Sequence, residues 1–166
     1  MIDPKEFLEF IKSRRSIRAF ESKDIPEEHI KMILEAGQWA PSASNRQPWE
    51  FIVIRNHEVR EKLAKAASYG RFIKQASVVV AIIGKPKISP KWYIIDTSLV
   101  SMNMMLMAWA LDIGTCWIGA MDREKAKQVL ELDKDDYLLT ILPFGYIKGA
   151  IPTRDRKPFT HIVKEK

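Results

Sequence analysis

Two periodicities in the hydrophobic pattern divide this chain into alternating helices and strands. Apolar residues spaced three or four apart predict helices, whereas short runs rich in valine and isoleucine predict strands. Helices are expected at 4–13, 26–37, 58–67, 90–111 and 123–130, and strands at 50–56, 76–84, 114–121 (with its turn) and 137–147. Such alternation is typical of one central sheet covered by helices, in an α/β or an α+β arrangement.

Two segments depart from an ordinary pattern, the long helix and the C-terminal tail. Apolar residues run almost all round the helix that Pro90 opens, from 94 to 111, which predicts burial at the domain centre or at a subunit interface. The tail, 148–166, is irregular and charged but contains Phe159, Ile162 and Val163. Because the tail is too apolar to stay free, we expect it to pack on another subunit.

Length, charge and residue usage narrow the class of protein. The 166 residues fit a single domain, 1–166, and the net charge of +6 favours anionic partners, such as a phosphate-bearing ligand or nucleic acid. One cysteine excludes an internal disulfide, and the three histidines form no metal-binding motif, so no metal site is predicted. The charged N-terminus and the short apolar run at 102–111 predict a cytoplasmic protein without membrane contact.

Alternating arginines near both ends of the chain are the first candidate site. In "SRRSIRAF" (13–20), an extended backbone would place Arg14, Ser16 and Arg18 on one face and Arg15 on the other. Arg154 and Arg156 alternate in the same way in "TRDRK". Arginine forks suit phosphate oxygens, and the chain has no glycine-rich phosphate loop, so side chains would have to hold a phosphate. Two readings stay open on the residues alone: one phosphate held from two sides, or surface charge paired to Glu21, Asp24 or Asp155.

Neutral polar residues form the second candidate site. The loop "PSASNRQPW" (41–49) offers hydroxyls and amides that could orient a heterocycle or a sugar-like chain, although an ordinary turn would use the same residues. Gly119 in "GTCWIGAM" would allow a ligand to approach the backbone, unless it serves a turn. Cys116 is expected in the core. With no acid–base or nucleophilic set in the sequence, no catalytic side chain is predicted, and a cofactor would carry the chemistry.

Four segments, taken in order from about residue 8 to 163, resemble the nitroreductase family of flavin mononucleotide (FMN) enzymes. They are "RRSIRAF", "APSASNRQPWEFIVI", "GTCWIGAM" and "PTRDRKP". The resemblance implies an α+β fold with a central, mostly antiparallel sheet flanked by helices. It also implies a domain-swapped homodimer with two FMN sites at its interface.

The same resemblance assigns the cofactor-binding residues. The phosphate and ribityl chain would be held by Arg14, Arg15, Ser16 and Arg18, with Arg154 and Arg156 on the same phosphate. The flavin ring would be lined from the partner subunit by Pro41, Ser42, Ala43, Asn45 and Gln47. Ile118 and Gly119 would lie along the flavin, with the Gly119 N–H near the reactive N5.

The implied reaction is a ping-pong transfer of hydride from NADH or NADPH, through the flavin, to a small-molecule acceptor such as a nitroaromatic or a quinone. Relatives that reduce free flavin, remove halogens or break down flavin are alternatives within the fold. A protein that binds flavin without turnover is a further alternative. Nucleic-acid binding would need a basic helix or an aromatic-studded sheet face, and the sequence shows neither, so no nucleic-acid partner is predicted.

The sequence also departs from the larger members of the family. The connection "GKPKISPKW" (84–92) is short where they carry an additional helical segment. Tyr69 and Phe72 stand near the positions where they place an asparagine and a lysine on the flavin, and Gly119 replaces an acidic residue. We therefore expect a more open site whose acceptor the residues do not define.

Overall fold

A computed structural model describes residues 2–151 and 153–166. Five α-helices and four strands occur there, joined by three short 3₁₀ turns. The helices are α1 (Pro4–Ser13), α2 (Glu27–Gln38), α3 (His57–Ala66), α4 (Tyr93–Ala110) and α5 (Arg123–Val129). The strands are β1 (Trp49–Ile54), β2 (Val78–Gly84), β3 (Ile113–Thr115) and β4 (Tyr137–Tyr146), and the 3₁₀ turns are Ala43–Asn45, Gly70–Gln75 and Phe159–His161.

The four strands form one sheet in the order β1-β2-β4-β3. Each neighbouring pair is antiparallel, which confirms the α+β class and the antiparallel sheet. Side chains alternate between the two faces of β2, so Val79, Ala81 and Ile83 enter one core while the residues between them enter the other. Helices α3 and α5 cover the first face, and α2 and α4 cover the second. Burial on both faces explains why β2 is apolar without interruption.

Side-chain caps explain where several helices begin. The Asp3 carboxylate accepts hydrogen bonds from the Lys5 and Glu6 amides, at 2.9 and 3.0 Å, so α1 begins at Pro4 as expected. The Asn56 side chain accepts from the Val59 amide at 3.1 Å, which confirms its predicted role as the cap of α3.

The strand predicted at 114–121 is much shorter than expected. Regular pairing ends at Thr115, and the chain returns to the sheet at a single bridge between Ile118 and Ile141. At this bridge the Ile118 N–H donates to the Ile141 carbonyl at 3.3 Å and to the Thr140 hydroxyl at 3.2 Å, and the same hydroxyl donates to the Ile118 carbonyl at 3.0 Å. A side chain of β4 therefore takes over part of the ladder, and 116–121 becomes a loop along the sheet.

The long helix α4 is buried on one face and exposed on the other. Val100, Met104 and Ala108 are fully buried in the core, whereas Ile94, Ile95 and Leu99 are 40–51% exposed. The tail is also exposed, and Phe159 shows 74% of its surface to solvent. Packing of the tail on another subunit stays a prediction. Among the described residues, no helix has the length and apolar character needed to cross a membrane.

Two glycines provide the surface on which the arginine segment lies. Gly114 of β3 and Gly145 of β4 are directly paired in the sheet. A Cβ on Gly114 would come within 2.8 Å of the Ile17 side chain, and a Cβ on Gly145 would come equally close to the ring of Phe20. Because both glycines lack a side chain, Ile17 and Phe20 settle against the sheet and hold the extended segment between them in place.

We expect Gly114→Ala to lower the free energy of unfolding by about 1–3 kcal/mol, because the added methyl group overpacks the contact with Ile17. Urea denaturation measures this loss. Gly119→Ala is the matched control, since its Cβ would meet only the exposed Trp117 side chain, at 3.3 Å. Equal losses in the two variants would contradict this role for Gly114.

Candidate functional site

Arginines from both ends of the chain meet in one cavity. It has a volume of about 250 Å³ and is lined by Arg14, Arg15, Ser16, Arg18, Arg154 and Arg156. The two alternating pairs seen in the sequence are thus brought together. Among the residues that the structure describes, none of these arginines forms an ion pair with Glu21, Asp24 or Asp155. The acidic partners that the surface-charge reading requires are therefore not in place, although Arg18, Arg154 and Arg156 are exposed.

Arg14 is a partly buried cation that lies beside other cations in this cavity. Its guanidinium is partly buried, and its Nη1 atom is buried without a hydrogen-bond partner among the described residues. Burial, followed by the charge of Arg156, lowers the pKa of Arg14. A buried cation that faces other cations is costly unless an anion compensates it. The donor set and the unpartnered nitrogen therefore fit a phosphate group.

Arg15 lines the same cavity, although simple alternation placed it on the opposite face. Its guanidinium turns back and donates to the carbonyl oxygens of Lys12 and Arg14, at 2.5 and 2.9 Å. The Lys12 carbonyl is one of those that the last turn of α1 leaves without a helical partner. The predicted face of Arg15 is thus wrong, because the need to cap α1 directs this side chain.

The loop at 41–47 forms a second cavity, of about 400 Å³. Pro41, Asn45 and Gln47 line it together with the end of α2. Ser42 instead stabilises the loop from within, since its hydroxyl accepts a hydrogen bond from the Gln47 amide at 3.0 Å. Within this chain the cavity is separate from the arginine cavity, and the resemblance implies that the two belong to different subunits of a dimer.

The backbone of this loop is strained. Ser44, Asn45 and Gln47 have φ values of 53°, 53° and 50°, in the left-handed region that residues with a side chain rarely adopt. This conformation costs about 1–2 kcal/mol at Ser44 and Gln47, and less at Asn45, since asparagine adopts it more readily. Strain of this kind persists where the surroundings enforce it, and it concentrates at ligand-binding and catalytic sites.

Ile118 and Gly119 differ in what their backbone can offer a ligand. The Ile118 side chain is buried and its N–H is already bonded to Thr140. Gly119 is exposed, and its N–H makes no hydrogen bond within the described part of the chain. Gly119 therefore presents a free backbone donor beside the sheet.

Three other residues clarify the surroundings of the site. Cys116 is buried, and burial raises the pKa of its thiol, which confirms a core role. Phe72 packs against Phe20 in the core, with ring centroids 6.2 Å apart, and so its role in this chain is structural. Tyr69, by contrast, is exposed.

Sequence reasoning missed Asp96, which connects the loop at 41–47 to the core. This residue lies in the first turn of α4, is 3% exposed, and accepts a hydrogen bond from the Ala43 amide at 3.1 Å. The signal available in the sequence was a single acidic residue within a long apolar helix. It could not identify the partner, which is 53 positions away.

Comparison with known proteins identifies the family. The family model described as Nitroreductase family matches residues 11–70 and 66–146. A protein of Archaeoglobus fulgidus, provisionally named NADH dehydrogenase/NAD(P)H nitroreductase, is 34% identical over 87% of this chain and 87% of its own. This chain therefore belongs to the nitroreductase family, and it is an oxidoreductase.

Solved structures agree with this assignment. A protein from Clostridium acetobutylicum, provisionally named NADH oxidase, has a TM-score of 0.86 and 30% identity, covering 95% of this chain and 99% of that one. An FMN-dependent nitroreductase from Clostridium difficile has a TM-score of 0.87 and 26% identity, covering 95% and 98% of the two chains.

We expect inorganic phosphate to stabilise the protein through the arginine cavity. At ten times its dissociation constant, one bound anion adds about 1.4 kcal/mol to the free energy of unfolding. Thermal unfolding in phosphate, against chloride of equal ionic strength, measures the effect. Arg18→Ala should lose most of the stabilisation, while the control Arg71→Ala, an exposed arginine outside the cavity, should keep it. Equal stabilisation of the two variants would show that phosphate acts elsewhere.

Proposed function

We propose that this protein is an FMN-dependent oxidoreductase that takes hydride from NADH or NADPH and delivers it to a small organic acceptor, such as a nitroaromatic or a quinone, by a ping-pong mechanism. The observation that carries the proposal is the arginine cavity around the unpartnered nitrogen of Arg14. FMN, when bound, supplies the two-electron chemistry that the side chains of this family member do not.

The arginine cavity would hold the 5′-phosphate. Arg14, Arg18 and Arg154 bring guanidinium donors to one small volume, and Ser16 adds a hydroxyl. Planar guanidinium forks bind phosphate oxygens in pairs, which fixes the direction in which the rest of the cofactor extends. The phosphate would in turn remove the cost of burying Arg14 among like charges.

The loop at 41–47 would orient the ring. Its Asn45 and Gln47 side chains offer neutral donors and acceptors at the mouth of a cavity, which suits the edge of a heterocycle better than charged groups do. The strained backbone fixes where these side chains point, so the loop meets the ring in an orientation set before binding.

The Gly119 N–H would stabilise negative charge that develops on the ring. A fixed backbone donor stabilises negative charge that develops nearby, and it needs no proton transfer of its own. Because Gly119 has no side chain and is exposed, an acceptor can approach from this side. The protein thus binds, orients and polarises, and no side chain is assigned an acid or base role.

Exposed apolar surfaces support the homodimer. Phe7, Met32 and Trp39 line a mostly apolar cavity of about 750 Å³ between α1, α2 and α4. Apolar tail residues, among them Phe159 and Ile162, are exposed in one protomer. Exposed apolar side chains of this kind are typical of surfaces that another chain covers. We propose that two copies cover these surfaces with each other's tails and bring the loop of one copy to the cofactor of the other.

A flavin spectrum tests the proposed function. The purified protein, supplied with FMN, should be yellow, should be bleached anaerobically by NADH or NADPH, and should regain its colour when a quinone or a nitroaromatic is added. Reoxidation by the acceptor after the nucleotide has been removed distinguishes two half-reactions from direct transfer. A protein that takes up no FMN would overturn the proposal, and one that is bleached but not reoxidised would exclude acceptor turnover.

Sedimentation tests the dimer. We expect the wild-type protein to sediment as a dimer, and Phe159→Asp to raise the dimer dissociation constant by at least about tenfold, because it places a charge in a buried apolar contact. Thr160→Asp is the control, since it adds the same charge at the neighbouring exposed position. Monomeric wild-type protein, or equal effects of the two variants, would contradict a dimer held by the tail.

A further inference from the structure

The loop at 41–47, called here the ring loop, needs an external support. Three of its residues have left-handed backbone, and its internal hydrogen bonds link neighbours such as Asn45 and Ser42. At its end the loop is joined to the adjoining strand β1, since the Trp49 amide donates to the Gln47 carbonyl at 2.9 Å. Among the hydrogen bonds of the described residues, one joins the loop to a part of the chain distant in sequence, from the Ala43 N–H to the Asp96 carboxylate at 3.1 Å. That single bond therefore fixes the middle of the loop relative to the core.

Asp96 is well placed to act as such a support. It lies in the first turn of α4, where the helix dipole favours a negative charge, and its side chain is 3% exposed. The start of α4 is itself fixed, because Tyr93 packs over Gly84 of β2 and makes an edge contact with Tyr137 of β4. The carboxylate is thus presented from a rigid part of the fold.

A second observation sets Asp96 apart from the other buried polar residues of α4. The hydroxyls of Thr97 and Ser101 donate to carbonyl oxygens of the helix itself. Asp96 instead reaches outside the helix with one oxygen, while its second oxygen, Oδ2, is buried without a partner in the described structure. A buried carboxylate that leaves one oxygen unsatisfied is costly, and packing alone would be served better by an apolar residue.

We propose that Asp96 is a positioning residue, whose buried carboxylate holds the ring loop through the Ala43 N–H in the strained conformation that meets the cofactor ring. This inference rests on the proposed function for the identity of the ring. Asp96 itself touches neither cofactor nor acceptor, and it acts by fixing where Pro41, Asn45 and Gln47 lie.

Hydrogen exchange in the cofactor-free protein tests the support directly. In Asp96→Ala, amide exchange across 41–47 should accelerate by at least about tenfold, because a hydrogen bond to a charged acceptor is lost. Asp96→Asn keeps an acceptor oxygen and should stay much closer to the wild type. Ser101→Ala, which removes a buried polar group from the same helix, should leave exchange in the loop unchanged. If Asp96→Ala does not fold, Asp96→Leu removes the acceptor while it fills the site with an apolar side chain.

FMN titration tests the consequence for the ring. Asp96→Ala should weaken FMN binding and shift the flavin absorbance and fluorescence toward those of free FMN, with recovery in Asp96→Asn. Stabilisation by inorganic phosphate should stay as in the wild type, since the arginine cavity is separate from the loop.

The outcomes separate the two proposals. The role of Asp96 is overturned if amide exchange in the loop is as slow in Asp96→Ala as in the wild type. It is also overturned if Ser101→Ala accelerates that exchange as much as Asp96→Ala does. Both conclusions hold whatever the cofactor results are. Faster exchange with unchanged flavin spectra also overturns the role of Asp96, because the loop would then not be positioned for the ring. A wild-type protein that binds no FMN overturns the proposed function, and the exchange data still decide whether Asp96 supports the loop.

Discussion

The packing of Ile17 and Phe20 against a pair of glycines governs the whole arginine site. Gly114 and Gly145 face each other in adjacent strands, and their missing side chains let an extended segment lie against the sheet. Once Ile17 is fixed there, the guanidinium of Arg14 is drawn into a partly buried position beside other cations. Hydrophobic burial thus supplies the free energy that holds like charges together, which the charges alone would oppose.

Most of the fold could be predicted because local pattern and final packing agree. Strand β2 is apolar at every position since both of its faces are covered, and helices α1 and α3 begin at capping side chains visible in the sequence. The exception is the short β3. There the Ile118 backbone bonds to the Thr140 hydroxyl, a side chain of another strand, which no local pattern at 114–121 encodes.

The candidate site was predictable in composition but not in geometry. The alternating arginines identified which residues meet, while the direction of Arg15 followed from carbonyl groups left free at the end of α1. Asp96 escaped detection because its partner is a backbone amide, which carries no residue-specific signal. Contacts between a side chain and a distant amide are thus the class of interaction that patterns of residue types do not reveal, even where they fix the shape of a site.

The position of Arg154 and Arg156 in the exposed tail has a consequence for assembly. These two residues belong to the tail, whereas Arg14 and Arg18 belong to the segment fixed on the sheet, so an anion between them would join two parts of the chain that otherwise repel each other. Because thermodynamic linkage is reciprocal, a contact that orders the tail would tighten the hold on the anion, and loss of the anion would loosen the tail. In the proposed dimer, where a second copy would order the tail, cofactor retention would therefore rise with protein concentration.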